Sequence, residues 1–293
     1  MSLLVQEARL TPRSIDPLLG DFLNFIYRQS DREELVIDLQ GMQFIAPYGL
    51  IILCLMARYA RTAFTRVVYK MPQAYTLRSY LGRVRFAAAL EGLVELAGPK
   101  LVVDQEREKP ESEALLEITR IEEQVDVETV LGNIGQRVEA ILAEELLYTE
   151  IEINQFKNVI AELCHNILDH SMNWGYVTAQ RYQDPRRRMK YVVIGVGDLG
   201  IGIKKSLSQR FVVDKWSHGQ AIINSLKKHF SRDTARGLGL YIVNQICNQY
   251  QGNLQIRSGD TRVYIRGGHR SEHVSTFFPG TMLSITLYQK NTH

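Results

Sequence analysis

The chain has 293 residues, 45% of them hydrophobic and 23% charged, and its 35 Lys and Arg against 32 Asp and Glu give a net charge of +3. That composition excludes a disordered chain, and the charge balance excludes a protein built to coat nucleic acid or an acidic membrane. Three cysteines, Cys54, Cys164 and Cys247, lie far apart with no paired spacing, which excludes a disulfide framework or a cysteine-rich zinc module and fits a reducing compartment.

The length favours two domains over one large one. No segment reaches the roughly 18–20 apolar residues that span a bilayer. The best run, Gly49 to Met56, is cut short by Arg58 and Arg61, and Glu7 interrupts the stretch where a signal peptide needs an apolar core. The chain is therefore expected to be soluble and cytoplasmic.

Residues 1–97 alternate strand and helix signals. Leu35 to Leu39 predicts a buried strand, Gly49 to Ala60 an apolar helix, and Arg66 to Lys70 the next strand, which Pro72 stops because it has no amide hydrogen for the ladder. Such a succession predicts a parallel or mixed sheet covered by helices. Residues 98–113 turn almost wholly polar around Pro110 and are expected to form a charged linker. From Ala114 the pattern is a strand (114–121), helices over about 126–148 and 152–171, strands at 176–182 and 190–196, helices at 220–230 and 239–250, and strands at 253–258, 262–266 and 282–287. The predicted fold class is thus α/β for residues 1–97 and an α+β sandwich for 114–293.

Three segments carry chemistry. Phe156, Val159, Ile160, Leu163 and Ile167 form one apolar stripe, and Glu162, Asn166 and His170, each four residues apart, stack along its edge. A carboxylate, an amide oxygen and an imidazole in a row suit a proton acceptor beside a divalent cation and phosphates; an amphipathic helix with a polar edge is the plainer alternative. The second segment, Val193 to Ile203, is a strand running into a glycine-rich turn. Gly195, Gly197 and Gly200 fit the dinucleotide fingerprint, but Asp198 would place a negative charge where a pyrophosphate should sit. The same carboxylate suits the exocyclic amino group of adenine, with Gly200 and Gly202 letting the backbone approach; a turn without a ligand is the alternative. In the third, Arg232, Thr234 and Arg236 precede Gly237 and Gly239 at a predicted helix start, where free amides and guanidinium groups suit a phosphate, though such a start is common without one.

Together and in this order the segments resemble the N, G1 and G2 boxes of the GHKL ATPase superfamily (gyrase, heat-shock chaperone ATPases, histidine kinases and mismatch-repair ATPases), whose fold is the Bergerat α/β sandwich. The resemblance covers most of residues 114–290. It implies ATP and Mg2+ as ligands, Glu162 as general base, Asn166 as Mg2+ ligand, and Asp198 as reader of adenine beside Gly200 and Gly202. It further implies a lid over about 204–236, a phosphate-side hinge at Gly237 and Gly239, and Thr281 near adenine. The Glu162-to-Asn166 spacing with the trailing His170 is most similar to the anti-sigma-factor serine kinases. The first domain, residues 1–97, resembles a STAS domain, the fold of anti-sigma-factor antagonists, through the segment Leu35 to Leu53. Where that family usually has Asp-Ser-Ser-Gly, this chain has Ala46-Pro47-Tyr48-Gly49: the acceptor serine is missing, and Tyr48 is the only hydroxyl left there. The implied partner is a STAS antagonist or sigma-factor-like regulator, with a homodimer possible and neither membrane nor nucleic acid expected.

All seven histidines lie at or after His165, so no acceptor histidine precedes the ATP segment, which excludes an autophosphorylating histidine kinase of the usual layout. His269 to His273 fits H-x-x-E-H, but zinc needs a helix there, and the flanking glycines predict a loop between strands.

Overall fold

The computed structural model describes residues 2–27, 33–102, 114–133, 139–170, 174–184, 189–228, 230, 239–250 and 252–290. Its contacts divide the chain into two compact units, Met1–Lys109 and Pro110–His293.

In the first unit the elements run β1 (Ser2–Leu4), β2 (Arg9–Leu10), α1 (Ile15–Tyr27), β3 (Glu34–Asp38), β4 (Phe44–Ile45), α2 (Pro47–Ala60), β5 (Arg66–Lys70), α3 (Tyr75–Arg83), α4 (Phe86–Ala89) and β6 (Glu95–Ala97). Four strands form an all-parallel sheet in the order β1-β3-β5-β6, and β2 pairs in parallel with β4. Helix α2 is apolar on every side, and Tyr48 through Ala57 are buried accordingly. Pro47 starts it, as proline can where no intrahelical bond is needed. Gly49 sits in close packing: a Cβ there would stand 3.0 Å from the Leu10 carbonyl oxygen. The unit continues past the expected boundary at 97, since the Val102 carbonyl lies where a Cβ on Gly82 would be, at 2.1 Å.

The second unit comprises β7 (Ala114–Ile121), α5 (Gln124–Asn133), α6 (Glu139–Glu144), α7 (Glu150–His170), β8 (Gly175–Asp184), β9 (Met189–Asp198), α8 (Gly202–Leu207), α9 (His218–Ser225), α10 (Gly239–Gln249), β10 (Asn253–Arg266) and β11 (His269–Tyr288). The five strands form an antiparallel sheet in the order β10-β11-β9-β8-β7. One core joins the stripe of α7 to Val177, Ala179, Val192, Ile194 and Val196 of the sheet, and to Val243, Ile246 and Cys247 of α10. The chain as a whole is thus mixed α/β, with a Bergerat-type α/β arrangement in its second unit.

Four expectations are corrected. The helix expected to reach residue 148 ends at Glu144, because Leu147 adopts a left-handed conformation (φ 59°) that turns the chain, and the Tyr148 amide donates back to the Leu142 carbonyl at 2.9 Å. The strands expected at 253–258 and 262–266 are one strand, β10, whose pairing with β11 shifts register on either side of Gly259. The helix expected over 220–230 spans His218–Ser225, started by a full capping box between Ser217 and Gln220. Finally, His269 to His273 is strand, not loop. Two imidazoles four residues apart on a strand stand about 13 Å apart, too far to share one ion.

Candidate functional site

Helix α7 begins where the Glu152 side chain accepts a hydrogen bond from the Thr149 amide at 2.7 Å, one arm of a capping box. Its stripe, Phe156, Val159, Ile160, Leu163, Cys164 and Ile167, is buried against the sheet. Glu162 and Asn166 are therefore held at the edge of that contact, one turn apart. At the far side, β9 ends at Asp198, which pairs with Gly175 on β8. The Asp198 Oδ1 accepts from the Gly200 amide at 2.7 Å, turning the chain toward α8.

These residues meet. One cavity is lined by Glu162, Asn166, Asp198, Gly202, Gly239 and Thr281, with Ser206, Leu207, Ser225, Phe230, Leu240 and Leu283 among its other walls. It encloses about 780 Å³ of space when the open solvent at its mouth is included. Gly200 lines a neighbouring cavity on the other side of the same turn, together with Lys204, Lys205 and His218. His170 is the last residue of α7, and its side chain lies outside the described residues. So do Thr234, Arg236 and Gly237.

Asp198 is 7% exposed. Burial pushes its carboxyl up to about 7, against the opposing pull of hydrogen bonds from the backbone of Gly200 and Thr281. A group so placed is charged only when something compensates it, and a donor arriving from a ligand would do so. Gly239 has a second duty besides leaving amides free at the start of α10: a Cβ there would come within 2.3 Å of the Glu162 Cγ. Its lack of a side chain sets where the Glu162 carboxylate can lie.

The charged side chains among the described lining are two carboxylates, and no Lys or Arg joins them. Among the described residues no cluster of three His, Cys, Asp or Glu could hold a metal by itself. That donor set suits Mg2+, which takes one or two protein ligands and completes its shell with water and substrate phosphates. Asn166 would hold it through its amide oxygen.

The topology also decides against the dinucleotide fingerprint. Strand β9 has antiparallel neighbours on both sides, whereas that fingerprint opens a parallel βαβ unit. Of the segment expected as lid, about 204–236, the described residues include Leu207, Val213, Ala221, Ile222 and Leu226, which belong to the core, and Phe211 stacks on Phe230 at 4.5 Å between ring centroids.

Residues 152–282 match the family model of the histidine kinase-, DNA gyrase B- and HSP90-like ATPases. The match begins in the first turn of α7 and ends one residue beyond Thr281, so it spans the described walls of the cavity except Leu283. It supports the GHKL character of this segment and an ATP-binding role, since domains of this family bind ATP, usually with Mg2+. No curated protein matches the chain at a significant level. Among the described residues no helix is long and apolar enough to cross a membrane.

The sequence reading missed Ser206, Ser225, Phe230 and Leu240. Leu240 was within reach, being next to Gly239. The two serines carry no pattern of their own.

Proposed function

We propose that this protein is a cytoplasmic, ATP- and Mg2+-dependent kinase of the anti-sigma type, which transfers phosphate to a serine or threonine of a separate regulatory protein. The observation that supports it is the convergence of Glu162, Asn166, Gly239, Asp198 and Thr281 on one cavity. Asp198 would accept from the purine amino group beside Thr281, and Asn166 would hold the ion. When bound, Mg2+ would supply the positive charge that spreads over the phosphates in the transition state. The Glu162 carboxylate would take the proton from the partner's hydroxyl as that oxygen bonds to the γ-phosphorus and the bond to the β-phosphate breaks. His170, Thr234, Arg236 and Gly237 belong to the same proposal, at the phosphate end.

The first unit supports a STAS-like reading through its parallel sheet and the short turn at Ala46 that leads from β4 into α2, with Gly49 in the first turn of that helix. The missing acceptor serine argues that the target hydroxyl lies on another protein. Tyr48 does not replace it, because its side chain is fully buried. That same missing acceptor favours a second reading, a slow ATPase whose nucleotide state alters how a partner is held.

Incubation with γ-labelled ATP and Mg2+, alone and with candidate STAS antagonists or sigma-factor-like regulators, separates the readings. Label on the partner's Ser or Thr is expected. Free phosphate without labelled protein would replace the kinase by the ATPase, and neither product would refute both and leave a nucleotide-responsive binding module without turnover.

A further inference from the structure

We infer that Ser258 is a positioning residue that aims Asp198, and so sets the preference for a purine carrying a 6-amino group. The inference rests on the adenine role of Asp198 proposed above. Ser258 sits on β10 directly opposite Thr281 of β11. It marks the point where the ladder breaks: the next residue, Gly259, pairs with Phe278, so Pro279 and Gly280 bulge out of β11. The side chain is 1% exposed, and its hydroxyl is used twice. The Oγ accepts a hydrogen bond from the Ile203 amide at 2.9 Å and donates to the Gly280 carbonyl at 3.2 Å.

Those two bonds clamp the segments on either side of Asp198. Ile203 follows Gly202, whose φ of +74° and missing Cβ let the turn lie on the Ser258 hydroxyl; a Cβ there would stand 2.9 Å from Oγ. Gly280, at φ +86°, lies against the Asp198 backbone, where a Cβ would come within 2.0 Å of its carbonyl oxygen. The segment after Asp198 and the bulge before Thr281 are thus tied through one buried oxygen. With the hydroxyl gone, the Ile203 amide and the Gly280 carbonyl each lose a buried partner, and the two walls are free to separate. The carboxylate would then lose its alignment on the amino group, while the apolar walls of the cavity stay in place.

The test compares the affinity of the full chain, with Mg2+, for ATP and for purine riboside triphosphate, which lacks the amino group. Wild type, Ser258→Ala and Ser258→Cys are measured, with melting temperatures alongside. Wild type is expected to prefer ATP, and Ser258→Ala to weaken ATP by about tenfold with little change for the analogue. Ser258→Cys, with a weak donor and acceptor, is expected between them, and it carries the comparison if the alanine variant does not fold. A merely structural role would lower melting temperature and both affinities together; an unchanged preference ratio in the variants overturns the inference. A wild type that binds both nucleotides equally would instead overturn the adenine role of Asp198 on which it rests.

Discussion

The two ends of the cavity are built by different means. At the Asp198 end the backbone does the shaping: Gly202 and Gly280 sit at positive φ against neighbours that leave no room for a side chain. A single buried serine joins them. At the Glu162 end, side chains one turn apart on α7 project from a helix fixed by its buried stripe. One end is made to recognise a fixed shape. The other presents a carboxylate and an amide oxygen to the cavity, donors that suit an ion brought with the ligand. The contrast teaches that nucleotide selectivity should be separable by mutation from metal binding and turnover, with selectivity at the Asp198 end and the other two at the Glu162 end.

The largest effect is expected at the Glu162 end. Glu162→Gln should lower phosphoryl transfer or hydrolysis by about a hundredfold or more while ATP affinity stays near wild type; Gly239→Ala, which pushes on the same side chain, should act in the same direction more weakly. Equal losses in affinity and turnover would erase the contrast between the ends. Next, Asn166→Ala should weaken Mg2+-dependent ATP binding by about a hundredfold, and chelating the metal from wild type should match it. At the other end, Asp198→Asn should cost about 1.5–3 kcal/mol of ATP binding, read by calorimetry, through loss of a charged hydrogen bond.

A smaller effect concerns pH. The Asp198 carboxyl of the free protein titrates at about 7, and a donor from the ligand stabilises its ionised form. Binding should therefore expel a proton, nearly one at pH 6, about half of one at pH 7 and almost none at pH 8. Affinity should weaken as pH falls below 7, by up to about tenfold per unit. Calorimetry in buffers of different ionisation enthalpy checks this, with Asp198→Asn as the variant that releases no proton. The smallest is a null result: Tyr48→Phe should leave any labelling from ATP unchanged, because the hydroxyl is buried.

Much of the site was legible because it lies in short segments. The stripe of α7 and the four-residue spacing of Glu162 and Asn166 are helical periodicities, and Asp198 in a glycine-rich turn is a local anomaly that asks for a reason. Contributions that depend on register were not. Ser258 looks like any serine until β10 is paired with β11 and the bulge at Pro279-Gly280 brings the Gly280 carbonyl to its hydroxyl. Gly239 reads as the start of a helix, and its contact with Glu162 exists only once α10 packs on α7. Leu147 shows the other kind of miss, since a leucine in a left-handed cap gives no compositional warning. Within the expected lid, about 204–236, the buried residues Leu207, Val213, Ala221, Ile222 and Leu226 are scattered among polar ones in sequence and form a core only in three dimensions.

The most direct test is calorimetric titration of the full chain with ATP at pH 7, with and without Mg2+. Saturable binding at one site that requires the metal and releases protons is the predicted result. A protein that gives no saturable heat with ATP and Mg2+ together would contradict the account.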